Sequence, residues 1–288
     1  MLFKFTNLIY FLLYIIDKFI NLFAKKFQFL LYLKEVIESK SYKEQNINGE
    51  RIKFFIPNKA TNLRVKRIFS KEPGTIEWIN NFNSNNKTIF WDIGSNIGLF
   101  AIYASVKHKN LEVFCFEPST SNLRTLSRNI SINNLQNRIT INQFPLSKED
   151  NSYQILNETS FQEGSANNTF GENFGHDGNK INEKNSYKVF GNSLNNLIEN
   201  KILEIPDYIK IDVDGIEHLI LESADKFLKS SKIKSISVEI NENFIDQKER
   251  VEKVLQNNHF LFTSKNNSSD NTKSKIKNTY NYIFEKKL

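Results

Sequence analysis

Acidic side chains recur in this chain where an apolar run stops, and glycines stand beside them. Ile89, Phe90 and Trp91 run into Asp92, followed by Gly94, Ser95, Asn96 and Gly98. The run LEVFCF, 111–116, stops at Glu117-Pro118-Ser119. The run PDYIKIDV, 206–213, carries Lys210 and Asp212 into Asp214, Gly215, Glu217 and His218. Glu239 lies inside ISVEI, 236–240. A glycine turn lets backbone approach a ligand closely, because Gly has no Cβ and tolerates positive φ. The apolar helix start behind it, Ile97 to Ala104, offers unpaired N–H groups. Its spacing, Asp-x-Gly-x-Asn-x-Gly, differs from the dinucleotide fingerprint G-x-G-x-x-G. Glu117 comes 19 positions after Gly98. At that distance doubly wound folds place an acid that accepts hydrogen bonds from ribose hydroxyls. Lys210, Asp212 and Asp214 alternate, which puts three charges on one side of a strand or its end. Such charges are costly to bury unless paired or working at a site. A plain structural alternative is an ion pair from Lys210 to Asp92 or Asp212.

Elements of two kinds must carry these residues. Strands are expected at Ile52–Pro57, Ile89–Trp91, Leu111–Phe116, Arg138–Phe144, Pro206–Val213, Ile233–Ile240, His259–Ser264 and Tyr280–Lys286. Helices are expected at Gly74–Phe82, Ser119–Asn133 (with Ser119 as N-cap), Ser193–Asn200, Ile216–Phe227 and Phe244–Asn257. Thr61–Phe69 reads as a polar connection. Ser152–Leu156 and Ser186–Phe190 read as short β segments flanking a long polar insertion, Asn157–Asn185. Alternating strands and helices predict a mostly parallel sheet covered on both faces. The last two strands lack a helix between them and are expected to pair antiparallel at the edge. In such sheets ligands sit at the carboxyl ends of the strands, where Asp92, Glu117 and Asp212 all fall.

Composition narrows the class. The chain has 288 residues, 25 of them Phe, enough for one large domain with an appendage. One Cys excludes an internal disulfide, and Cys115, between Phe114 and Phe116, reads as a small core residue. The four His are scattered, without metal-ligand spacing. The net charge of +7 is spread rather than blocked, which does not indicate nucleic-acid binding. Met1 to Leu33 is very apolar and carries +3, four Lys against Asp17. Its longest uninterrupted apolar run, Leu8–Ile16, has nine residues, short of the ~20 that a spanning helix needs. Asn7, Tyr10, Tyr14, Lys18, Asn21, Lys25 and Gln28 trace one helical stripe. Two placements fit: a basic amphipathic helix in a membrane interface, or helices packed on the catalytic domain or a second subunit. The segments suggest a division into 1–50, helical, and 51–288, catalytic.

The segments WDIGSNIGLF, VFCFEPS, SLNNL, DYIKIDVDGIEHLILESA and ISVEINE, in that order and spacing, resemble the FkbM family of class I S-adenosylmethionine (SAM) methyltransferases. The likeness covers roughly Trp91 to Glu242. Asn96 stands where many members carry a middle Gly. Members commonly show K-I-D-V-E-G-x-E; here Asp214 replaces the Glu, and His218 follows Glu217. Asn195-Asn196 stand at an otherwise Asp-rich helix start. The resemblance implies a Rossmann-like α/β fold with a seven-stranded, mostly parallel sheet and an antiparallel last strand. It implies SAM at Asp92, Gly94, Ser95, Asn96, Gly98, Glu117, Pro118 and Asp212, with Gly94 and Gly98 at the methionine end and Glu117 on the ribose. The implied reaction is O-methylation of a sugar, glycan or secondary metabolite. Hydroxyl methylation needs a base, and Asp212, Asp214, Glu217, His218 and Glu239 are candidates. A carboxylate there works directly or through a divalent ion. A nicotinamide oxidoreductase is the alternative that the missing G-x-G-x-x-G disfavours. A non-catalytic SAM-fold module is disfavoured by the intact Asp92, Gly94, Gly98 and Glu117. The expected location is cytoplasmic, with the N-terminal helices touching the inner membrane face or a second subunit without spanning a bilayer.

Overall fold

The computed structural model describes residues 2–24, 28–267 and 278–287. They form two units, Met1–Lys43 and Glu44–Leu288. The first unit holds α1 (Leu2–Phe23) and α2 (Phe29–Ser39), neither containing Gly or Pro. Asp17 does not interrupt α1. Its carboxylate accepts from Asn21 Nδ2 and from the Leu30 N–H, each at 3.1 Å. The second bond satisfies one of the unpaired donors that begin α2. The nine-residue apolar run therefore understated this segment. Phe3–Phe23 is one continuous helix, long and apolar enough by length and composition to cross a membrane. The stripe read from the sequence ends with the helix at Phe23, and Lys25 lies outside the described residues.

A hairpin follows, β1 (Tyr42–Ile47) and β2 (Glu50–Phe55). Its Asn48-Gly49 turn has φ values of 52° and 83°, the positive pair that a two-residue hairpin loop requires. The expected polar connection is instead a helix, α3 (Lys59–Lys66), set by a capping box between Asn58 and Thr61. Then come α4 (Pro73–Asn80), β3 (Thr88–Ile93), α5 (Leu99–Lys107), β4 (Leu111–Phe116), α6 (Thr120–Ile132) and β5 (Ile139–Asn142). Ser119 is the N-cap of α6 by position, but its side chain makes no capping bond. The insertion is more ordered than a loop. Strands β6 (Ser152–Glu158), β7 (Asn168–Phe170) and β8 (Asn185–Gly191) form an antiparallel sheet in the order β7-β6-β8. The chain ends with α7 (Leu194–Glu199), β9 (Tyr208–Ile211), α8 (Glu217–Glu222), β10 (Ser235–Asn241), α9 (Ile245–Asn257), β11 (Phe260–Asn267) and β12 (Thr279–Lys286). Helix α8 is shorter than the apolar run Ile216–Phe227 suggested.

The main sheet has seven strands in the order β11-β12-β10-β9-β3-β4-β5. Strand β12 runs antiparallel to both β10 and β11; the β10-β9-β3-β4-β5 pairs are parallel. Strand β3 is buried throughout and feeds both faces. Ile89, Trp91 and Ile93 join a cluster with Ile211, Ile220 and Phe227, while Phe90 joins one with Ile102, Val113 and Leu126. Each face is thus closed by helices, as alternating βα units require. Chain order reverses at β3, with β4 and β5 to one side and β9 and β10 to the other. The carboxyl ends of β3, β4, β9 and β10 meet around that switch point, which is where open α/β sheets hold ligands.

Candidate active site

The glycine turn is built by two close approaches. Gly94 has φ +84°, and a Cβ on it would lie 1.8 Å from the Asp212 carbonyl oxygen. The turn after β3 is therefore pressed onto the chain leaving β9, and only Gly fits. Gly98 has φ +83° and faces Leu126 of α6, 2.5 Å from a notional Cβ. It lets α5 and α6 come together and does not line the cavity described below. Asn96 sits at φ +51°, a left-handed position that Asn tolerates better than most residues. Its N–H donates to Glu117 Oε2 at 2.8 Å, and its Nδ2 donates to the Ser165 carbonyl at 2.6 Å. Ser95 is a buried staple. Its Oγ donates to the Asp92 carbonyl at 2.5 Å and accepts from the Phe116 N–H at 3.1 Å.

The carboxylates differ in what holds them. Glu117, 5% exposed, takes the Asn96 N–H on one oxygen and the Ser119 N–H on the other, at 2.8 and 2.9 Å. Burial outweighs those bonds and pushes its carboxyl up to about 7. Lys210 Nζ lies 2.6 Å from Asp212 Oδ2, so the ion pair anticipated for Lys210 is formed with Asp212. Burial acts against both charges, yet each partner's field wins: Asp212 is held below its usual range and Lys210 above. Asp214 lies beyond the end of β9, at φ +61°, so the strand alternation stops before it. Its Oδ2 accepts from the N–H groups of Asn167 and Asn168 at 2.7 and 3.3 Å. Burial, then repulsion from Asp212, raises its pKa. Glu239, on β10, has no hydrogen bond or ion pair of its own among the described residues. Burial, followed by Asp212, drives its carboxyl well above the ordinary range. Asp92 is fully buried with neither oxygen in a well-formed hydrogen bond; the Ala101 N–H gives it only a weak approach. Burial pushes it up to about 6.

These groups surround a cavity of about 350 Å³, a size suited to a small ligand. The structure brings Gly94, Asn96, Glu117, Pro118, Asp212, Asp214 and Glu239 to its wall. Asp92, Ser95, Gly98, Glu217 and His218 stay outside it. Glu217 is 1% exposed and accepts from the N–H groups of Val213 and Gly215 and from Gln247 Nε2, at 3.0, 3.1 and 2.5 Å. It holds the turn after β9, and burial lifts its carboxyl to about 7. His218 is stacked on Phe174 and edge-on to Phe244; burial lowers its pKa to about 4. Neither side chain lines the cavity. Phe116, Phe144, Leu146, Leu156 and Phe170 supply apolar lining. Among the described residues no group of three or more His, Cys, Asp or Glu is arranged to hold a metal ion.

Two parts of the wall were missed in the sequence. Ala60, Leu63, Arg64, Arg67 and Lys71 line it from α3 and the turn after it. Their spacing of 3, 1, 3 and 4 is one face of a helix, a signal that the surrounding Asn and Lys residues obscured. The insertion contributes Ser165, Ala166, Asn167, Asn168, Phe170 and His176.

The family model described as the Methyltransferase FkbM domain matches residues 92–270. Among solved structures, the chain resembles a precorrin-6y C5,15-methyltransferase from Geobacter metallireducens GS-15. Identity is 13%, coverage 77% of this chain and 92% of that one, and the TM-score 0.44. It also resembles M. capricolum TrmK in complex with S-adenosyl-homocysteine (SAH), at 13% identity, 74% and 67% coverage and a TM-score of 0.41. P. horikoshii TYW2 in complex with MeSAdo is similar at 10% identity, 85% and 70% coverage and a TM-score of 0.43. No curated relative matches the chain.

Proposed function

Because the chain belongs to the FkbM methyltransferase family and is therefore a SAM-dependent methyltransferase, we propose that it methylates a hydroxyl group of a sugar, glycan or secondary metabolite. SAM supplies an electrophilic methyl on a sulfonium. The residues present fit it. Glu117 spends one N–H on each oxygen and keeps acceptor capacity for a ribose diol. Gly94 brings bare backbone to the cavity beside it. Asn96 and Pro118 complete this end of the wall.

The observation that carries the hydroxyl reading is the unpartnered carboxylate of Glu239 in that wall. An alcohol attacking a methyl group must lose its proton as the oxygen–carbon bond forms and the sulfur–carbon bond breaks. Asp212 is committed to Lys210, and Asp214 to two backbone N–H groups. Glu239 makes no hydrogen bond or ion pair among the described residues, and the pKa that burial raises makes it a stronger base than an ordinary carboxylate. Methyl-labelled SAM offered with a panel of glycosides and hydroxylated metabolites tests this. Label on oxygen is expected. Glu239→Gln should lower kcat by about 10²–10⁴-fold, the usual worth of a positioned base, with SAM affinity unchanged. Label on nitrogen instead overturns the hydroxyl reading, and an unimpaired Glu239→Gln removes the base.

Helix α1 supports membrane contact. Phe3, Phe11, Leu22 and nine other large apolar or aromatic side chains between them are exposed, along with Phe23. At 1.5 Å per residue its 22 residues reach ~33 Å, close to the ~30 Å of a hydrocarbon core. The full chain should float with phosphatidylglycerol-containing vesicles in a density gradient. Sedimentation away from them would remove the lipid reading and leave subunit packing.

A further inference from the structure

The carboxylate that serves as base does not stand alone. Glu239 on β10 lies directly across the ladder from Asn281 on β12. Opposite residues of an antiparallel pair share one face of the sheet, with Cβ atoms about 5 Å apart. Asn281 Nδ2 donates to Glu72 Oε2 and to Thr75 Oγ1, each at 3.1 Å. Glu72, the N-cap residue of α4, is 1% exposed. Its Oε2 also accepts from Thr75 Oγ1 at 3.3 Å, and its Oε1 accepts from Lys71 Nζ at 2.7 Å. Lys71 and Glu239 both line the cavity. The β10–β12 ladder thus fixes the Glu72 carboxylate beside Glu239, and that carboxylate fixes an ammonium in the same wall. The ammonium acts on the acids around it. Glu72 first, with Asp212 and Glu239 after it, holds Lys71 above its usual range against burial and Arg64.

A base must be ionised before the acceptor's proton arrives. Burial, Asp212 and Asp214 after β9, and Glu72 all press Glu239 toward its neutral form; Lys71 presses the other way. Lys210 is paired with Asp212, and Arg64 Nε donates to the Gly164 carbonyl. Glu117 and His176 stand elsewhere on the cavity wall, and Asn281, across the ladder, is neutral. Resting on the assignment of Glu239 as base, we propose that Lys71 is its positioning residue: an ammonium, held by Glu72, that keeps the Glu239 carboxylate ionised until the acceptor hydroxyl delivers its proton. As the acceptor oxygen bonds to the methyl carbon, the carbon–sulfur bond breaks and sulfur leaves as a neutral thioether. The hydroxyl proton passes to Glu239. The neutral carboxyl then stands across from Asn281, whose Oδ1 is buried with no hydrogen-bond partner among the described residues. Lys71 thus serves the charged form of the base, and Asn281 offers an acceptor to the neutral form.

Infrared titration of the full-length protein tests this without relying on methyl transfer. The carbonyl band of a protonated carboxyl is assigned to Glu239 by its absence in Glu239→Gln, and its midpoint is followed against pH. Lys71→Met should move the midpoint upward by about one pH unit or more, the usual effect of losing a nearby opposite charge. Lys71→Arg keeps the charge and should leave the midpoint close to its original pH. Glu72→Gln keeps an oxygen for Lys71 but removes a like charge from beside Glu239, so the midpoint should fall. A midpoint unmoved in Lys71→Met overturns the proposal. So does an equal shift in Lys71→Arg and Lys71→Met, because packing rather than charge would then be at work. If Lys71→Met does not fold, an unmoved or raised midpoint in Glu72→Gln overturns it instead. With an acceptor found by the labelled-SAM panel, the pH at which kcat rises should move with the midpoint. A midpoint that moves under a fixed kcat profile would mean that Glu239 is not the base; the base assignment would fail while the coupling of Lys71 to Glu239 stood.

Discussion

The two walls of the cavity are made in different ways. At the strand ends, backbone does the work: Gly94 pressed on the Asp212 carbonyl, and Glu117 fixed by the N–H groups of Asn96 and Ser119. On the opposite wall the backbone of the insertion is held by side chains from elsewhere: Arg64 of α3, Asn122 of α6 and Asp214 after β9. A wall of backbone tolerates little change, because a carbonyl cannot move without its strand. A wall of side chains can adjust. One cofactor met by the first and varied acceptors met by the second is the division of labour that this contrast suits.

Paired glycine substitutions should break the contrast most sharply. Both Gly94 and Gly164 have positive φ, +84° and +77°. A left-handed backbone costs an L side chain about 1–2 kcal/mol at either place. A Cβ at position 94 would also lie 1.8 Å from backbone oxygen, whereas at 164 the nearest atom is the Thr61 methyl at 3.0 Å. Overpacking adds about 1–3 kcal/mol where neighbours cannot yield. Gly94→Ala is therefore expected to lower the melting temperature more and to lose SAM binding in calorimetry. Gly164→Ala should keep it. Equal effects on SAM would show that the two walls are equally rigid.

Glu117→Ala comes next. Removing a carboxylate that accepts charge-assisted bonds should weaken SAM by about 1.5–3 kcal/mol. Affinity should also depend on pH, and the sign follows from the carboxyl pKa of about 7 in the free protein. That value is raised, so the stability it gives the ligand-free protein is full below about 4.5 and lost as pH rises through about 7. Diol hydrogen bonds need the ionised form, so SAM binding must expel a proton below pH 7. Affinity should rise with pH up to about 7 and then level, and Glu117→Ala should flatten that rise. A folded Glu117→Ala variant with unchanged affinity and pH profile would sink the ribose assignment.

The same contrast explains what could be read from the chain alone. The β3 turn, the acid after β4 and the cluster after β9 are each one short segment at a strand end. The apolar run, the glycine and the acid are contiguous there, so their spacing carries their geometry. Gly98 and Ser95 belong to those segments, but they hold the turn, and a linear motif does not separate holding from touching. Glu217 and His218 follow the last of those segments in sequence, yet both are buried in the first turn of α8 and lie outside the cavity. The α3 face was hidden because its five cavity residues span positions 60–71 among polar neighbours and pass the helix end at Lys66. Strand β7 is three residues in an Asn- and Gly-rich stretch, held by pairing with β6 rather than by its own propensity.

The gentlest probe concerns the link between the walls. Asp214 stands on the strand-end side, and its Oδ2 accepts the N–H groups of Asn167 and Asn168 from the insertion. Asp214→Asn keeps a residue that tolerates φ +61° and keeps one side-chain oxygen, but it removes the charge. Exchanging charge-assisted bonds for neutral ones should cost about 1 kcal/mol. That loss should fall on the insertion alone. Hydrogen exchange at Asn167 and Asn168 is expected to quicken about fivefold, the equivalent of that energy, with SAM affinity held and acceptor KM raised. In the unsubstituted protein the same amides should slow when acceptor is added, as for a flap that closes over its ligand. Unchanged exchange in Asp214→Asn would mean that β6–β7 pairing alone fixes the insertion. The two walls would then be independent, and the acceptor side would be as rigid as the cofactor side.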